Sequence, residues 1–325
     1  MTVLIVTWNP GNELFDAVAS ALEQCGADDQ IIVWDNHSEQ DAQPVLDRLV
    51  QKFPSGLTVH RHDANLGFAG GNNAAARLAG STDFLLLLNP DAQLQAGCLT
   101  EMLAVLEQSA DVAAVGCTQL TDAGNQIDGL GDTYFVSGRA RRIGHGQPVS
   151  TLTASPRRSA SFGPCGAVAL YRSSAFEQAN GFDEDYFCFF EDVDLAFRLR
   201  LSGWRFEQAN HALAHHIGGT SAAAGSDLVA YYGHRNMTLT FIKNMPAPLL
   251  LALGPLHLLI SLAALCRYSL RGRPGVILRA KRDALRLFSR EWRKRSALHQ
   301  SHSSSALTVW RWLDKSPLAK PRFEP

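Results

Sequence analysis

Between Asp183 and Asp194, six carboxylates fall within twelve residues: Asp183, Glu184, Asp185, Glu191, Asp192 and Asp194. Ionised carboxylates only accept hydrogen bonds, so such a run can hold a cation, cap a helix or take a proton from a reacting hydroxyl. Leu195, Phe197, Leu199 and Leu201, mixed with Arg198 and Arg200, place a helix start near Glu191, where acidic residues also serve the helix dipole. Asp194 and Arg198 stand at i,i+4 spacing, which assigns Asp194 to an ion pair. The rest of the run suits capping and chemistry equally.

Two solitary acids follow apolar runs. Asp35 closes IIVWD and precedes Asn36-His37-Ser38. A carboxylate there accepts from N3–H of uracil or thymine, or N1–H of guanine, and has no such donor in adenine. Asp91, in Asn89-Pro90-Asp91 after FLLLL, is placed to hold a hard divalent cation through oxygen. The stretch from Asn65 to Asn73 spaces its glycines G-x-x-G-G, not G-x-G-x-x-G, which sets a nicotinamide enzyme aside. Its glycines allow a ligand close to the backbone.

These residues need a scaffold that gathers them. Residues 2–7, 31–35, 57–60, 84–88 and 112–116 read as short apolar strands, with helical patterns near 13–23, 41–52, 70–79 and 96–108. That alternation predicts a mostly parallel α/β sheet, buried on both faces, with ligands beyond the carboxyl ends of its strands. Each polar loop follows a strand: Trp8-Asn9-Pro10-Gly11, Asp35 to Ser38, Asn65 to Asn73, and Asn89 to Asp91. WNPGN and NPD are also ordinary turn sequences, and DNHS suits an Asx-turn with an N-cap, so the inference rests on their convergence.

The chain has 325 residues, 46% hydrophobic and 19% charged, which excludes disorder and a coiled coil; its 26 glycines lack the triplet period of collagen. Six cysteines without a CxxC pair, mostly among apolar neighbours, argue against a disulfide framework or structural zinc and fit a reducing cytoplasm. MTVLIVTWNP has no basic n-region, so export by a cleaved signal peptide is not expected. The net charge of −1 hides an asymmetry. Residues 1–266 hold 15 Lys and Arg against 27 Asp and Glu, whereas residues 267–325 hold 15 against 4.

In the basic tail, Ile277, Ala280, Ala284, Phe288 and Trp292 fall at helical spacing, with Arg279, Arg282, Arg286, Arg290 and Arg293 elsewhere on the wheel. That pattern suits an anionic membrane surface; a solvated helix packed on the main domain is the plainer reading. No nucleic-acid recognition motif is present. The uncharged stretch Ala247 to Leu265 is long enough to span a membrane. Pro248, Pro255 and His257 interrupt it, and a span would put residues 1–246 opposite the basic tail, so an interfacial or re-entrant element is expected. A buried core helix is the plain alternative.

The order WDNHS, NLGFAGGNN, LLLLNPD, GPCGAVALYR, FDEDYFCFFEDVDLAFRLRLSGW and HHIGGTS resembles family 2 glycosyltransferases over roughly residues 1–245. With Asn89-Pro90-Asp91 and the later Arg235-Asn236, it is most similar to the bacterial rhamnosyltransferases of surface-polysaccharide assembly. The resemblance implies an A-type glycosyltransferase fold over 1–245, and the apolar then basic patterning of 246–325 predicts a helical membrane-associating tail after it. It implies a nucleotide-diphosphate-sugar donor, Mg²⁺ or Mn²⁺, and transfer with inversion. Carried over, Asp35 binds the base and Thr7, Trp8 and Asn9 line its pocket. Asn65, Gly67, Gly71, Asn73 and Asn89 belong to the donor site, and Asp91 holds the metal. Asp91 matches the last carboxylate of the family's DxD, whose first position here is Asn89. The family's metal-site histidine falls on His216, with His215 the alternative, since adjacent strand residues face opposite ways. Glu191-Asp192 matches the family's ED, making Asp192 the general base. Glu191, Arg172 and Arg235 are assigned to the acceptor or the diphosphate.

The expected function is transfer of L-rhamnose from dTDP-rhamnose to a polyprenyl-diphosphate-linked saccharide for the cell envelope, by an enzyme peripheral on the inner face of the cell membrane. Transfer of a hexose or galactofuranose from a UDP-sugar uses the same residues. A noncatalytic saccharide-binding scaffold is opposed by the intact Asp35, Asp91 and Asp192. A sugar-phosphate nucleotidyltransferase needs a basic Gly-rich loop after the first strand, which WNPGN lacks.

Overall fold

The computed structural model describes residues 1–154, 161–218, 226–301 and 304–316. Eleven strands carry its architecture: β1 (Thr2–Thr7), β2 (Gln30–Asp35), β3 (Leu57–Arg61), β4 (Phe84–Leu88), β5 (Ala92–Leu94), β6 (Val112–Thr121), β7 (Ile127–Gly129), β8 (Asp132–Tyr134), β9 (Ala140–Arg142), β10 (Val168–Arg172) and β11 (Arg205–His216). The main sheet runs β3-β2-β1-β4-β10-β6-β11-β5, with β7 on β6, while β8 and β9 pair separately. β1 is parallel to β2 and β4, so strand order reverses between β1 and β4, where α/β sheets place their ligands. β10 is antiparallel to both β4 and β6.

The expected strands and helices are present. Helices α1 (Glu13–Leu22), α2 (Gln43–Lys52), α3 (Gly67–Leu78), α4 (Cys98–Glu107), α5 (Ser173–Gln178) and α6 (Glu191–Leu201) follow their strands. The two-residue period of each strand splits its apolar side chains between two cores. Val3, Ile5, Ile31, Val33, Leu86 and Leu88 meet α1, α2 and α4 on one face. On the other, Leu4, Val6, Ile32, Trp34, Leu85 and Leu87 share a core with α3, α6 and the next helix, α7 (Asp227–Asn244). Near-continuous runs such as FLLLL are thus explained by burial on both sides.

Among the described residues three further helices follow: α8 (Ala247–Leu270), α9 (Pro274–Ser301) and α10 (Ala306–Trp312). The expected boundary at 245/246 coincides with the joint between α7 and α8, yet α9 packs along α7 through Val276, Ile277, Ala280 and Ala284. The single apolar stripe read from the sequence is divided, because Phe288 and Trp292 face outward at 41% and 43% exposure. Arg295 donates from Nη1 to the carbonyls of Ile242 (2.8 Å) and Met245, placing a cation on the C-terminus of α7. By length and composition α8 is apolar enough to cross a membrane.

Candidate active site

Asp35 ends β2 opposite Thr7, which ends β1. Its Oδ1 accepts from the backbone N–H (3.1 Å) and the hydroxyl of Ser38, and Ser38 Oγ accepts from Asn9 N–H (2.8 Å). Asn9 Oδ1 accepts from Glu39 N–H (2.7 Å), so the loops after β1 and β2 are joined around Asp35. Asp35 Oδ2 has no donor among the described residues, and buried Thr7 Oγ1 has no partner. Trp8 is 38% exposed beside them. The arrangement leaves one carboxylate oxygen and one hydroxyl for a ligand.

The Gly-rich stretch differs from its expected role. It forms the N-terminal half of α3, buried under the sheet, and its glycines admit protein rather than ligand. A Cβ on Gly71 would lie 2.7 Å from Val6 Cγ1, and one on Gly67, at φ +71°, would lie 2.4 Å from the Phe187 carbonyl oxygen. Asn65 Oδ1 accepts from Gly67 N–H (2.8 Å). Asn73 exchanges hydrogen bonds with the Phe182 backbone, at 2.8 Å in both directions, and so ties α3 to the acidic run. Asn36, which the sequence left unassigned, donates to Gly67 O (2.8 Å) and accepts from Leu66 N–H (3.0 Å).

At the end of β4, Asn89 and Asp91 meet His216 from the end of β11. His216 Nε2 is 3.3 Å from Asp91 Oδ1 and 3.3 Å from Asn89 Nδ2, while its Nδ1 is 2.9 Å from Asp128 Oδ2. His215 points away, to the carbonyl of Asp122 at 3.3 Å, whereas His216 faces Asp91. The second glycine of HHIGGTS and the Thr-Ser after it lie outside the described residues. Burial opposes charge on His216, but its bonds to Asp128 and Asp91 prevail and raise its pKa to about 9. Asp128 is itself held well below the usual carboxylate range: burial opposes this, and His145, His216 and Arg142 outweigh burial. Asp128, Arg142 and His145 were not legible, since IDG carries no apolar alternation around a marked acid.

The oxygens of Asn89 and Asp91 fit a hard divalent cation. Buried Asn89 Oδ1 has no partner, so an acceptor is available where the family's first carboxylate would stand. His216 must give up its Nε2 proton to ligate. Another acidic cluster, Asp183, Asp185 and Glu291, has ligand atoms within 4.8 Å of one another, but it already encloses a cation. Lys294 Nζ lies 2.5 Å from Asp185 Oδ2 and 2.7 Å from both Asp183 Oδ1 and Glu291 Oε1.

Asp192 lies in the first turn of α6, where it is 2% exposed. Gly166 N–H donates to its Oδ2 (3.2 Å), and the next residue, Ala167, accepts from Asn89 N–H through its carbonyl (2.8 Å). That two-residue link brings Asp192 to the end of β4. Before it, Phe187, Phe189 and Phe190 all have positive φ (62°, 66° and 71°), a conformation bulky residues adopt only under constraint. The constraint is Arg235-Asn236. Asn236 Nδ2 donates to the carbonyls of Tyr186 (2.9 Å), Cys188 (2.9 Å) and Phe189 (2.7 Å), and Arg235 Nη2 to those of Asp185 (2.6 Å) and Tyr186 (3.0 Å). Arg235, expected on a phosphate, clamps the loop instead. Asp194 is structural, bonded to Arg198 (2.8 Å), Lys243 (2.8 Å) and Asn244 (2.7 Å).

Arg172 is removed from the site. Because β10 runs antiparallel, its C-terminal end lies beside Phe84 at the start of β4, on the opposite edge. There Arg172 donates to the carbonyls of Leu106 (2.8 Å), Ser109 (3.3 Å) and Val112 (3.2 Å).

The sheet reverses its strand order at β1/β4 and gathers these acids at its carboxyl edge. The chain belongs to the glycosyltransferase-like family 2, whose model matches residues 1–231, and it is a hexosyltransferase by class. It is 27% identical over 268 residues to an N-acetylglucosaminyl-diphospho-decaprenol L-rhamnosyltransferase of Mycobacterium tuberculosis, covering 75% of this chain and 84% of that one. It is 29% identical over 237 residues to the rhamnosyltransferase WbbL of Escherichia coli K12, covering 66% and 84%. In fold it is similar to a mannosyltransferase of Pyrobaculum calidifontis solved with GDP-Man and Mn²⁺ (TM-score 0.55, 18% identity, 95% of this chain and 87% of that one). It is also similar to GalNAc-T7 solved with UDP, GalNAc and Mn²⁺ (TM-score 0.59, 14% identity, 74% and 47%), about half of whose length it spans. These likenesses bear out the expected A-type glycosyltransferase fold.

Proposed function

We propose that this enzyme transfers L-rhamnose from dTDP-rhamnose, with inversion, to a saccharide carried on a polyprenyl diphosphate, at the inner face of the cell membrane. The observation that carries the proposal is the link from Asp192 through Gly166 and Ala167 to Asn89, which sets a buried carboxylate beside the Asn89–Asp91 edge. The names of the two rhamnosyltransferase relatives support the sugar, and that of the mycobacterial one supports the lipid.

Asp35 Oδ2 accepts from thymine N3–H, and Thr7 to Asn9 border the base. Asp192 takes the proton of the acceptor hydroxyl as its oxygen attacks the anomeric carbon. The bond from that carbon to the diphosphate oxygen breaks, and the electron pair leaves with dTDP. Asp91, Asn89 Oδ1 and deprotonated His216 would hold Mg²⁺ or Mn²⁺, which would supply positive charge beside the departing diphosphate. Glu191 stays beside the base on the acceptor side.

The outer faces of α8 and α9 support membrane docking. Leu251, Leu259 and Leu270 are 79%, 62% and 90% exposed, and Leu285, Phe288 and Trp292 are exposed beside Arg282, Arg286 and Arg290. An element lying in the interface keeps both flanks on one side, which a span does not.

Thermal unfolding with Mg²⁺ or Mn²⁺ and dTDP-, UDP-, GDP- or ADP-linked ligands tests the donor. A ligand at a hundred times its Kd stabilises by about 2.7 kcal/mol. Stabilisation by dTDP and dTDP-rhamnose, lost in Asp35→Ala, is expected. Asp192→Asn is expected to keep that stabilisation and lose transfer. Preference for UDP ligands refutes the donor, and undiminished transfer by Asp192→Asn refutes the base.

A further inference from the structure

The donor and acceptor carboxylates make no use of a groove of about 540 Å³ bounded by α7, α8 and α9. Phe241, Leu250, Leu258, Leu262, Leu278 and Trp292 wall it. Gly254 opens onto it, and a Cβ there would meet nothing within 4 Å. Into this apolar space comes one ammonium. Lys281 is set deep between α7 and α9, accessible through the groove, and donates to Thr238 Oγ1 (2.7 Å) and His234 O (3.2 Å). Both acceptors are neutral, and among the described residues no carboxylate pairs with Lys281. An ammonium has three donors, so one remains.

The surroundings disfavour positive charge. Burial pushes His234 down to about 3, and the charges of Lys281, Arg139 and Arg267 push in the same direction. Burial likewise lowers His257 to about 4 and Lys281 to about 7, as expected of cations with no anion to repay their desolvation. Apolar walls around one amine with a spare donor, which an anion would hold in its protonated form, complement an amphiphile with an anionic head.

We propose that this groove binds the head-proximal isoprenoid units of a polyprenyl phosphate or diphosphate, with Lys281 facing the phosphate and α8 and α9 holding the chain. The proposal rests on the lipid-linked acceptor of the proposed function and adds where its chain is held. Two observations favour this occupant over a membrane phospholipid. The volume is that of a site for one drug-sized ligand, which suits part of a single chain better than two acyl chains. Thr238 and Phe241 also lie one and two turns beyond Arg235-Asn236, so the helix that lines the groove also clamps the loop before Asp192.

The test measures binding to the full chain in detergent by native mass spectrometry, using geranylgeranyl phosphate, geranylgeraniol, inorganic phosphate and dioleoylphosphatidylglycerol as separate probes. The phosphate lipid is expected to bind about tenfold tighter than the alcohol or more, a difference of about 1.4 kcal/mol. Lys281→Met removes the cation without opening the apolar walls, and is expected to erase that preference. Gly254→Leu fills the groove and is expected to weaken both isoprenoids about tenfold or more. Unchanged binding in both variants, or equal occupancy by phosphatidylglycerol, overturns the proposal. The thermal shift given by dTDP reports the donor site separately. If dTDP gives none, the rhamnosyl reading fails while the groove is still decided by its own probes.

Discussion

Lys294 Nζ, on α9, lies 2.7 Å from both carboxylate oxygens of Asp183, at the head of the acidic run. A residue of the basic tail therefore closes an ion cluster with the loop that leads to Asp192. Asp183 is held well below its usual range: burial opposes this, and the Lys243 and Lys294 charges outweigh burial. Lys294→Ala leaves three partly buried carboxylates with one ammonium fewer. It is expected to cost about 2 kcal/mol, measured by urea denaturation, and to lower transfer. The same cluster predicts that a chain ending at residue 246 will not fold as a stable catalytic unit, so membrane binding is better probed by surface substitutions.

Gly166 carries a prediction specific to catalysis. A Cβ there would stand 2.9 Å from Asp192 Oδ2, within the hydrogen bond that orients the carboxylate. Gly166→Ala is expected to lower kcat by about a hundredfold, the scale of a misplacement near 1 Å, while dTDP still raises the unfolding temperature. An unchanged kcat would show that this contact does not orient the base.

The groove predicts a pH dependence of stability. Lys281 has a folded pKa of about 7 against 10.5 unfolded, so between these values the unfolded chain binds more protons and stability rises with pH. The wild type is expected to gain stability from pH 7 to 9 on this account, and Lys281→Met to lack that gain. His234 and His257, at about 3 and 4, act on the acid side: stability falls as pH drops from 6.5 towards 4. Denaturant midpoints of both proteins across pH 4 to 9 check the two limbs.

Membrane docking is tested on leucines outside the groove lining. Leu251 and Leu259 are 79% and 62% exposed, so replacing both by serine removes little packing from the folded chain. The double variant is expected to bind anionic vesicles about tenfold less tightly or worse, with its unfolding midpoint nearly unchanged. Equal co-sedimentation of the two proteins would show that this face does not enter the lipid.

The amino-acid sequence by itself determined the layered α/β scaffold, because two-sided burial demands near-continuous apolar strands such as FLLLL, and it marked Asp35, Asn89, Asp91 and Asp192 by their places after those strands and in quoted motifs. It also marked the tail as helical, apolar and then basic. Only the tertiary structure decided roles that depend on direction and long-range contact. The antiparallel run of β10 carries Arg172 to the far edge, a fact that no local pattern encodes. Strand alternation said that His215 and His216 diverge and the motif favoured His216; only the tertiary structure set His216 against Asp91 and Asp128, the latter 88 residues away. Arg235 was assigned to the acceptor or the diphosphate, and its acceptors are loop carbonyls some fifty residues earlier, held together with those of Asn236. The tail's apolar stripe divided because Val276, Ile277, Ala280 and Ala284 are buried against the neighbouring helices while Phe288 and Trp292 stay partly exposed at the groove, a partition set by packing and not by periodicity.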